Sequence, residues 1–293
     1  MAAAILVEAR KVEGVDPFLT RLDMSHRGGE VIRYRRTNND RMRQLVHKLP
    51  FSPSASFIDD EMGKDVQVRL SSHWPDEFEL VTDMLWSYTR NTEREVANAV
   101  TRLSQAEIDS IFAAYLGNRS ANRRLKPGRA IERAHTTWEI TGDYGTFRDL
   151  QRHRMVDGWE WQLLTADHGF DVPEMVIEAG QEHNFQRCFE LSRQLYRQLL
   201  DRAGPVVAQY ATLLGHRMRY RFTINLREAF HMLELRTGPD GHPGYRAICQ
   251  EMHRQLSHAY PRLAAAMIHI GQREPEALGR LDKAKLDARR QTK

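Results

Sequence analysis

Cationic side chains crowd into a short stretch near the middle of the sequence. They are Arg148, Arg152, His153 and Arg154. Asp143 can cap a helix, and the apolar residues that follow it at helical spacing predict a helix ending near Met155. On that helix Arg148 and Arg152 would lie on one face, and Asp149 would pair with His153 on the next. Two guanidinium groups on consecutive turns can bind one phosphate or carboxylate. The alternative is a solvated basic face in which arginine pairs with Asp149.

A second set of polar residues follows further along the chain. Residues 217–224 alternate between polar, mostly basic side chains and apolar ones, which predicts a strand with one basic face. Asn225 can end that strand and cap the next helix, with Glu228 completing a capping box. Polar side chains then recur along the helix at positions four and seven, and they would form a binding wall. These are Arg227, His231 and Glu234.

Helical periodicity dominates the segments that must position these residues. One helix is predicted from Asp76, and another from Ser104, whose capping-box pattern precedes a stop at Gly117. A long helix is predicted over 181–201. A strand over 134–141 leads directly into the arginine-rich helix. The pattern is therefore that of a mainly helical protein with few strands.

The two ends of the chain carry fewer signals. Residues 1–75 are interpreted as an N-terminal extension without assigned chemistry, with strands predicted at 4–8 and 30–35. Residues 76–272 would form the main domain, and residues 273–293 a charged tail. The two cysteines fall on apolar helical stripes, so we expect reduced thiols in the core. They are Cys188 and Cys249.

Composition narrows the class of protein. The 293 residues are 41% hydrophobic and 28% charged, which is typical of a globular protein. No apolar run reaches membrane-spanning length and no basic leader precedes the first apolar patch, so we expect a cytoplasmic protein without membrane attachment. The histidines lack metal-ligand spacing, and no Walker, dinucleotide-binding or G-x-S-x-G motif occurs, so neither a metal site nor covalent hydrolysis is expected. Because the arginines converge at two places, a small anionic ligand is favoured over nucleic acid.

Two stretches resemble the flavin-dependent thymidylate synthases, the ThyX family. The family signature is RHR-x-x-S-x-N-E-x-S-x-R-Y, and the positions that match it in register are Arg152, His153, Arg154 and Glu160. The segment 223–236 is similar to a later strand and helix of the family. Its matching positions are Asn225, Arg227 and Arg236, with His231 where many members carry asparagine. A weaker similarity covers 127–133, where Glu132 is followed by Arg133 instead of histidine. The two main segments occur in the family's order and spacing.

The resemblance implies an α+β fold, mainly helical with a small antiparallel sheet, in a homotetramer with active sites shared between subunits. It also implies FAD as cofactor, with NADPH and methylenetetrahydrofolate as co-substrates, in the reductive methylation of dUMP or a related nucleotide. The flavin-binding residues would be Arg152, His153, Arg154, Asn225, Arg227 and His231. Arg148, Glu160 and Arg236 would bind the substrate. Arg236 would also be catalytic, because a fixed cation stabilises negative charge that develops at a carbonyl oxygen of uracil.

The sequence departs from the signature on its nucleotide side. Asp157 and Gln162 replace the two serines, and Trp159 replaces the asparagine. Leu164 and Thr165 replace the final arginine and tyrosine. In the family these positions hold the phosphate and the uracil, and Asp157 would repel a phosphate. The alternative hypothesis is therefore a non-catalytic homologue that serves as a binding or partner subunit.

Overall fold

The computed structural model describes residues 27–46, 48–49 and 67–272. The chain divides into two compact units, Met1–Ser56 and Phe57–Lys293. In the first unit the described element is the twenty-residue helix α1 (Arg27–Val46), so the predicted strand at 30–35 is wrong. Good helix formers such as arginine, glutamine, methionine and leucine outnumber the β-branched pair Val31 and Ile32. The predicted strand at 4–8 and the tail 273–293 lie outside the described residues.

The described part of the second unit is mainly helical. Its helices are α2 (Leu80–Trp86), α3 (Glu93–Val100), α4 (Gln105–Leu116), α5 (Tyr144–Leu150), α6 (Glu174–Glu178), α7 (Glu182–Ala203), α8 (Pro205–Ala208), α9 (Leu226–Arg236), α10 (Pro243–Ala259) and α11 (Pro261–Ala265). Short 3-10 turns occur at Arg129–Glu132 and Gln209–Ala211. Among the described helices, none combines the length and the apolar composition that a membrane crossing requires.

Four strands of this unit form one antiparallel sheet. They are β1 (Gln67–Trp74), β2 (His135–Asp143), β3 (Gly158–Trp161) and β4 (Arg217–Asn225), in the spatial order β1-β2-β4-β3. β1 comes from the segment interpreted as an N-terminal extension. β3 was not predicted, because four residues are too few for an alternating pattern to be recognised. The predicted α+β class, mainly helical with a small antiparallel sheet, is confirmed.

Alternation along β2 and β4 gives the sheet one buried face and one polar face. Trp138 of β2 pairs with Phe222 of β4, and both side chains are fully or almost fully buried. They belong to a core cluster that includes residues of α9 and α10, such as Phe230 and Met252. Along each strand, the residues that alternate with these buried ones point to the other face of the sheet, which remains partly exposed. This polar face lines the groove described below.

Local capping signals predicted two helix starts correctly, whereas the helix predicted from Asp76 begins only at Leu80. Ser104 caps α4 in a capping box with Glu107. Asn225 caps α9, since its side chain accepts the N–H of Glu228 at 2.9 Å. The predicted capping box is wrong in its other hydrogen bond, from the Asn225 N–H to the Glu228 carboxylate, because that carboxylate contacts His153 instead. The reason is tertiary packing, which offers this carboxylate a buried partner.

The arginine-rich helix is shorter than predicted. α5 ends at Leu150 with Gln151 as its C-cap, not near Met155. Arg152 therefore does not share a helical face with Arg148. The expected pair between Asp149 and His153 is also wrong, because Asp149 pairs with Arg152 at 3.3 Å.

One cysteine prediction is wrong. Cys249 of α10 is buried, as expected, whereas Cys188 of α7 is exposed. The buried stripe of α7 runs through Phe189, Ser192 and Tyr196. Because consecutive helical residues differ by about 100° around the axis, Cys188 lies outside that stripe.

Candidate functional site

Two segments that are far apart in sequence meet where α5 ends and α9 begins. Asp143 anchors the start of α5 by accepting the N–H of Thr146 at 2.7 Å. The next backbone N–H, of Tyr144, donates to the carbonyl of His216 at 3.0 Å. After α5 the backbone turns, and the turn places His153 in the interior. Since α9 continues directly from β4, the same fold brings its polar residues to His153.

His153 is the centre of a hydrogen-bonded row of three side chains. Its Nδ1 lies 3.0 Å from Oε1 of Glu228, and its Nε2 lies 3.0 Å from Nε of Arg236. Arg236 also donates from Nη2 to the carbonyl of Asp149 at 2.8 Å. Its guanidinium lies 5.1 Å from the centre of the Tyr245 ring, a cation–π distance. The two segments that carry the family resemblance are therefore in direct contact within one subunit.

This row, Glu228–His153–Arg236, runs from the interior towards solvent. The side chains of His153 and Glu228 are only 5% and 7% exposed, whereas Arg236 is half-buried. A buried polar group costs free energy unless it is hydrogen-bonded, so the mutual contacts stabilise both residues. The arrangement delivers one guanidinium to a place that a ligand can contact.

His231 lies beside the row and was a predicted flavin residue. Its ring centre is 5.6 Å from that of His153. Burial lowers the pKa of His231, the positive charge of Lys126 lowers it further, and Glu228 opposes these effects. The cations near His231 make its surroundings locally positive. Such an environment favours an anionic ligand.

The arginines of the first segment point outward. Arg152 is 74% exposed and pairs with Asp149, as the alternative of a solvated basic face predicted. Arg148 donates to Gln151 at 2.9 Å at the surface, and Arg154 is exposed. The signature tripeptide therefore alternates between solvent and interior. Its two guanidinium groups remain accessible, while its imidazole does not.

Asn225 and Arg227 have structural partners. Asn225 uses its Oδ1 atom to cap α9. Arg227 donates to the carbonyl of Pro127 at 3.0 Å and to Glu132 at 3.1 Å. Arg227 thus joins α9 to the segment 127–133, which carries the weaker family similarity. Both residues help to position the site whether or not they also contact a ligand.

A groove lies on the polar face of the sheet. It is open to solvent and has a volume of about 680 Å³. Its lining residues are Ser72, His135, Thr137, Asp157, Gly158, Glu160, Arg221, Phe222 and Thr223. His135 Nε2 lies 3.1 Å from Asp157, and Glu160 forms an exposed ion pair with Arg221. Within residues 67–272, no hydrogen bond or ion pair joins Glu160, a predicted substrate residue, to His153 or Arg236.

Sequence reasoning missed several partners that organise these sites. Glu228 was predicted only as part of a capping box, although it contacts His153 from 75 residues away. Glu234 was predicted to line a binding wall, and this is wrong: it is buried and pairs with Arg119, 115 residues away, at 2.6 Å. No local signal marks these contacts, because they depend on how distant segments pack.

The residues around His153 also contain atoms that could bind a metal. Ligand atoms of His153, Glu228 and His231 lie within 4.8 Å of one another. Both ring nitrogens of His153 are already engaged, one by Glu228 and one by Arg236. A metal ion would have to displace one of them and would be repelled by the guanidinium. The arrangement suits hydrogen bonding better than metal ligation.

Comparison with known proteins gives relatives over most of the chain. A UPF0159 protein of Chlamydia muridarum is 30% identical over 204 residues, which cover 70% of this chain and 38% of the relative. A UPF0159 protein of Thermoplasma acidophilum is 28% identical over 242 residues, covering 82% of this chain and 46% of the relative. The chain therefore spans less than half the length of these relatives.

Solved structures share the fold at lower identity. The UMP/dUMP methylase PolB from Streptomyces cacaoi, bound with 5-Br dUMP, has a TM-score of 0.55 and 18% identity, covering 72% of this chain and 98% of that one. The same methylase bound with 5-Br UMP has a TM-score of 0.52 and 17% identity, covering 72% and 97%. Residues 69–262 match the family model described as thymidylate synthase complementing protein. On this match, which covers all but the first two residues of the sheet and both segments at the site, the chain belongs to the family of thymidylate synthase complementing proteins.

Proposed function

We propose that this chain is a FAD-dependent enzyme of the thymidylate synthase type. It would reductively methylate the uracil ring of dUMP or a related nucleotide, with methylenetetrahydrofolate as carbon donor and NADPH as reductant. The observation that carries the proposal is the row Glu228–His153–Arg236, in which both family segments converge on one accessible guanidinium. Family membership supports the same conclusion.

The residues around the row fit an anionic flavin dinucleotide. Arg152 and Arg154, the sequence neighbours of His153, are exposed, and Lys126 adds positive charge near His231. Such cations suit the pyrophosphate of FAD. We assign the flavin to the predicted set Arg152, His153, Arg154, Asn225, Arg227 and His231, in which the buried His153 would act through the side chains that it holds in place. When bound, FAD would supply the transfer of reducing equivalents between NADPH and the transferred carbon.

Arg236 is the residue that we assign to the uracil. Its Nε and Nη2 atoms are engaged by His153 and Asp149. Within the described residues 67–272, its Nη1 atom has no hydrogen-bond acceptor, so it can donate to a carbonyl oxygen of a bound ring. Because the guanidinium is already held in place, it would stabilise developing negative charge there without reorganising.

A uridine nucleotide is supported by what the similar methylase structures contain, namely bromouridylates with either sugar. We assign Arg148 and Glu160 to substrate binding together with Arg236. Asp157 stands where the signature has a serine, but its carboxylate is held by His135 at 3.1 Å. When His135 is protonated, this pairing weakens the repulsion that Asp157 would exert on a phosphate.

The test is flavin binding followed by turnover. The purified chain is expected to show a flavin absorbance spectrum, or to acquire one when titrated with FAD. It should then release tritium from dUMP that carries the label on the ring carbon to be methylated. This release should require both methylenetetrahydrofolate and NADPH. A colourless protein that does not bind added FAD would contradict the proposal.

A second candidate is a non-catalytic homologue that acts as a binding or partner subunit. Leu164, at the position of the signature's arginine, favours it, because this side chain cannot bind a phosphate. The backbone N–H of Leu164 instead donates to Gln209 at 3.0 Å. This candidate predicts FAD or nucleotide binding without tritium release.

The assembly belongs to the same proposal. We propose a homotetramer, as the family resemblance implies, and a cytoplasmic location, as the composition suggests. Light scattering on the purified chain at several concentrations should give a tetrameric mass, and a monomeric mass throughout would contradict this part of the proposal.

A further inference from the structure

We infer that Glu228 is a positioning residue that holds the proton of His153 on Nδ1, so that Nε2 accepts a hydrogen bond from Arg236 and fixes its guanidinium for a ligand. The inference rests on the proposed function, in which Arg236 contacts the nucleotide. It gives Glu228 a role in the site, although Glu228 lies outside the signature tripeptide and was predicted only as part of a helix cap.

The proton assignment follows from the donors present. A guanidinium Nε–H can only donate, so His153 Nε2, at 3.0 Å from it, must be the acceptor. A neutral imidazole then carries its proton on Nδ1, which faces the Glu228 carboxylate at 3.0 Å. A carboxylate accepts this proton's hydrogen bond, which favours the tautomer that Arg236 requires. In metal sites, a carboxylate that accepts the N–H of the other ring nitrogen orients the bound histidine in the same way.

Charge balance supports the same assignment. Glu228 is 7% exposed, and a buried carboxylate requires a hydrogen-bonded or oppositely charged partner. The neutral ring of His153 connects the Glu228 carboxylate to the guanidinium of Arg236, so the row has one negative and one positive end. Glu228 also lies in the first turn of the eleven-residue helix α9, where the helix dipole favours a negative charge.

The side chain of Glu228 is free for this role because the helix start does not need it. Asn225 caps α9 through the backbone N–H of Glu228, and this contact survives any change of the Glu228 side chain. Arg236 has other supports at Asp149 and Tyr245. Losing Glu228 would therefore loosen one of its three supports and leave the helix in place.

The direct test is the tautomer of His153 in the full chain, measured by two-bond ¹H–¹⁵N correlation on histidine-labelled protein. The His153 signal is assigned by its absence in His153→Gln. The inference expects the Nδ1–H tautomer in the wild-type protein. An Nε2–H tautomer or a doubly protonated ring at neutral pH would overturn it, whether or not the protein binds a nucleotide.

The second test uses Glu228→Ala and Glu228→Gln. In Glu228→Ala the His153 signal should shift towards the other tautomer, and dUMP affinity should fall roughly tenfold, the change expected when a hydrogen bond to a charged group is lost. Glutamine retains an oxygen acceptor, so Glu228→Gln should recover much of both. Flavin absorbance should be retained in both variants.

Glu77→Gln is the matched control. Glu77 is 6% exposed and accepts hydrogen bonds from Leu263 and Arg262, away from the row. The Glu77→Gln substitution should lower the unfolding temperature without changing the His153 signal or dUMP affinity. A merely structural role for Glu228 would make its variants behave in the same way, and that result would contradict the inference. If wild-type protein binds no dUMP, the proposed function fails while the tautomer still decides the role of Glu228.

Discussion

The buried ion pair between Arg119 and Glu234 gives the sharpest test of how this fold is held together. Arg119 donates from Nη1 and Nη2 to the two Glu234 oxygens at 2.9 and 2.6 Å. The two side chains are 3% and 1% exposed. Arg119 also donates to the carbonyl of Ala266 at 2.8 Å. The pair therefore connects the loop after α4 to α9 and to the segment that follows α11.

We expect Glu234→Gln to lower the free energy of unfolding by about 3–5 kcal/mol, because it leaves the Arg119 charge buried without a counter-ion. That is a large share of the roughly 5–15 kcal/mol that stabilises a typical domain. The double variant Arg119→Met with Glu234→Leu removes both charges. It should cost less than the single variant, because no unpaired charge remains.

The assay is urea unfolding of the full chain, followed by circular dichroism at neutral pH. The control is Glu251→Gln, which breaks the exposed pair of Glu251 with Arg254, whose side chains are 33% and 63% exposed. An exposed pair contributes at most about 1 kcal/mol. If Glu234→Gln cost no more than this control, the interpretation of Arg119 and Glu234 as a buried structural pair would be refuted.

Three further predictions concern the site and its scaffold. Arg154→Ala should weaken FAD binding roughly tenfold, as expected for one lost charge-assisted contact, whereas Arg236→Ala should abolish methylation and leave flavin bound; equal flavin affinity in a titration of both variants would contradict this division. Burial lowers the pKa of His216 from 6.5 to about 4, so the unfolded state binds the proton first, and the free energy of unfolding should fall as pH decreases from 6.5 to about 4. Denaturation of the wild type and His216→Phe across that range should show a shallower slope in the variant, because groups such as His231 also lose stability there, and equal slopes would exclude His216 as a cause. Asn225→Ala should cost about 1 kcal/mol through the lost cap, whereas Asn225→Asp should be close to neutral; urea unfolding that shows no difference between them would argue against the cap.

Local patterns predicted the elements whose signals lie within a few neighbouring residues. The start of α4 at Ser104 and the start of α9 at Asn225 follow from side chains that bond a backbone N–H three positions on. Strand β4 follows from the alternation along 217–224. These features depend on short-range sterics and hydrogen bonding, so they can be recognised without the rest of the chain.

Where the local signals were mixed, the predictions failed. A strand was predicted at 30–35, inside what is a long helix. α5 ended early, at Leu150, because the chain turns there to bury His153. The four-residue strand β3 exists only because β4 lies next to it, and a pairing partner of that kind cannot be recognised from four residues.

The sequence by itself determined the family, the clusters of cationic residues and most helix and strand positions, because motif order, charge density and periodicity are properties of the chain. Only the tertiary structure decided which of those residues meet. It buried His153 between Glu228 and Arg236 and turned Arg152 and Arg154 to solvent. It also paired Glu234 with Arg119. The physical reason is that a buried charge must find its partner within hydrogen-bond distance in space, and the partners available there are set by packing between segments far apart in sequence.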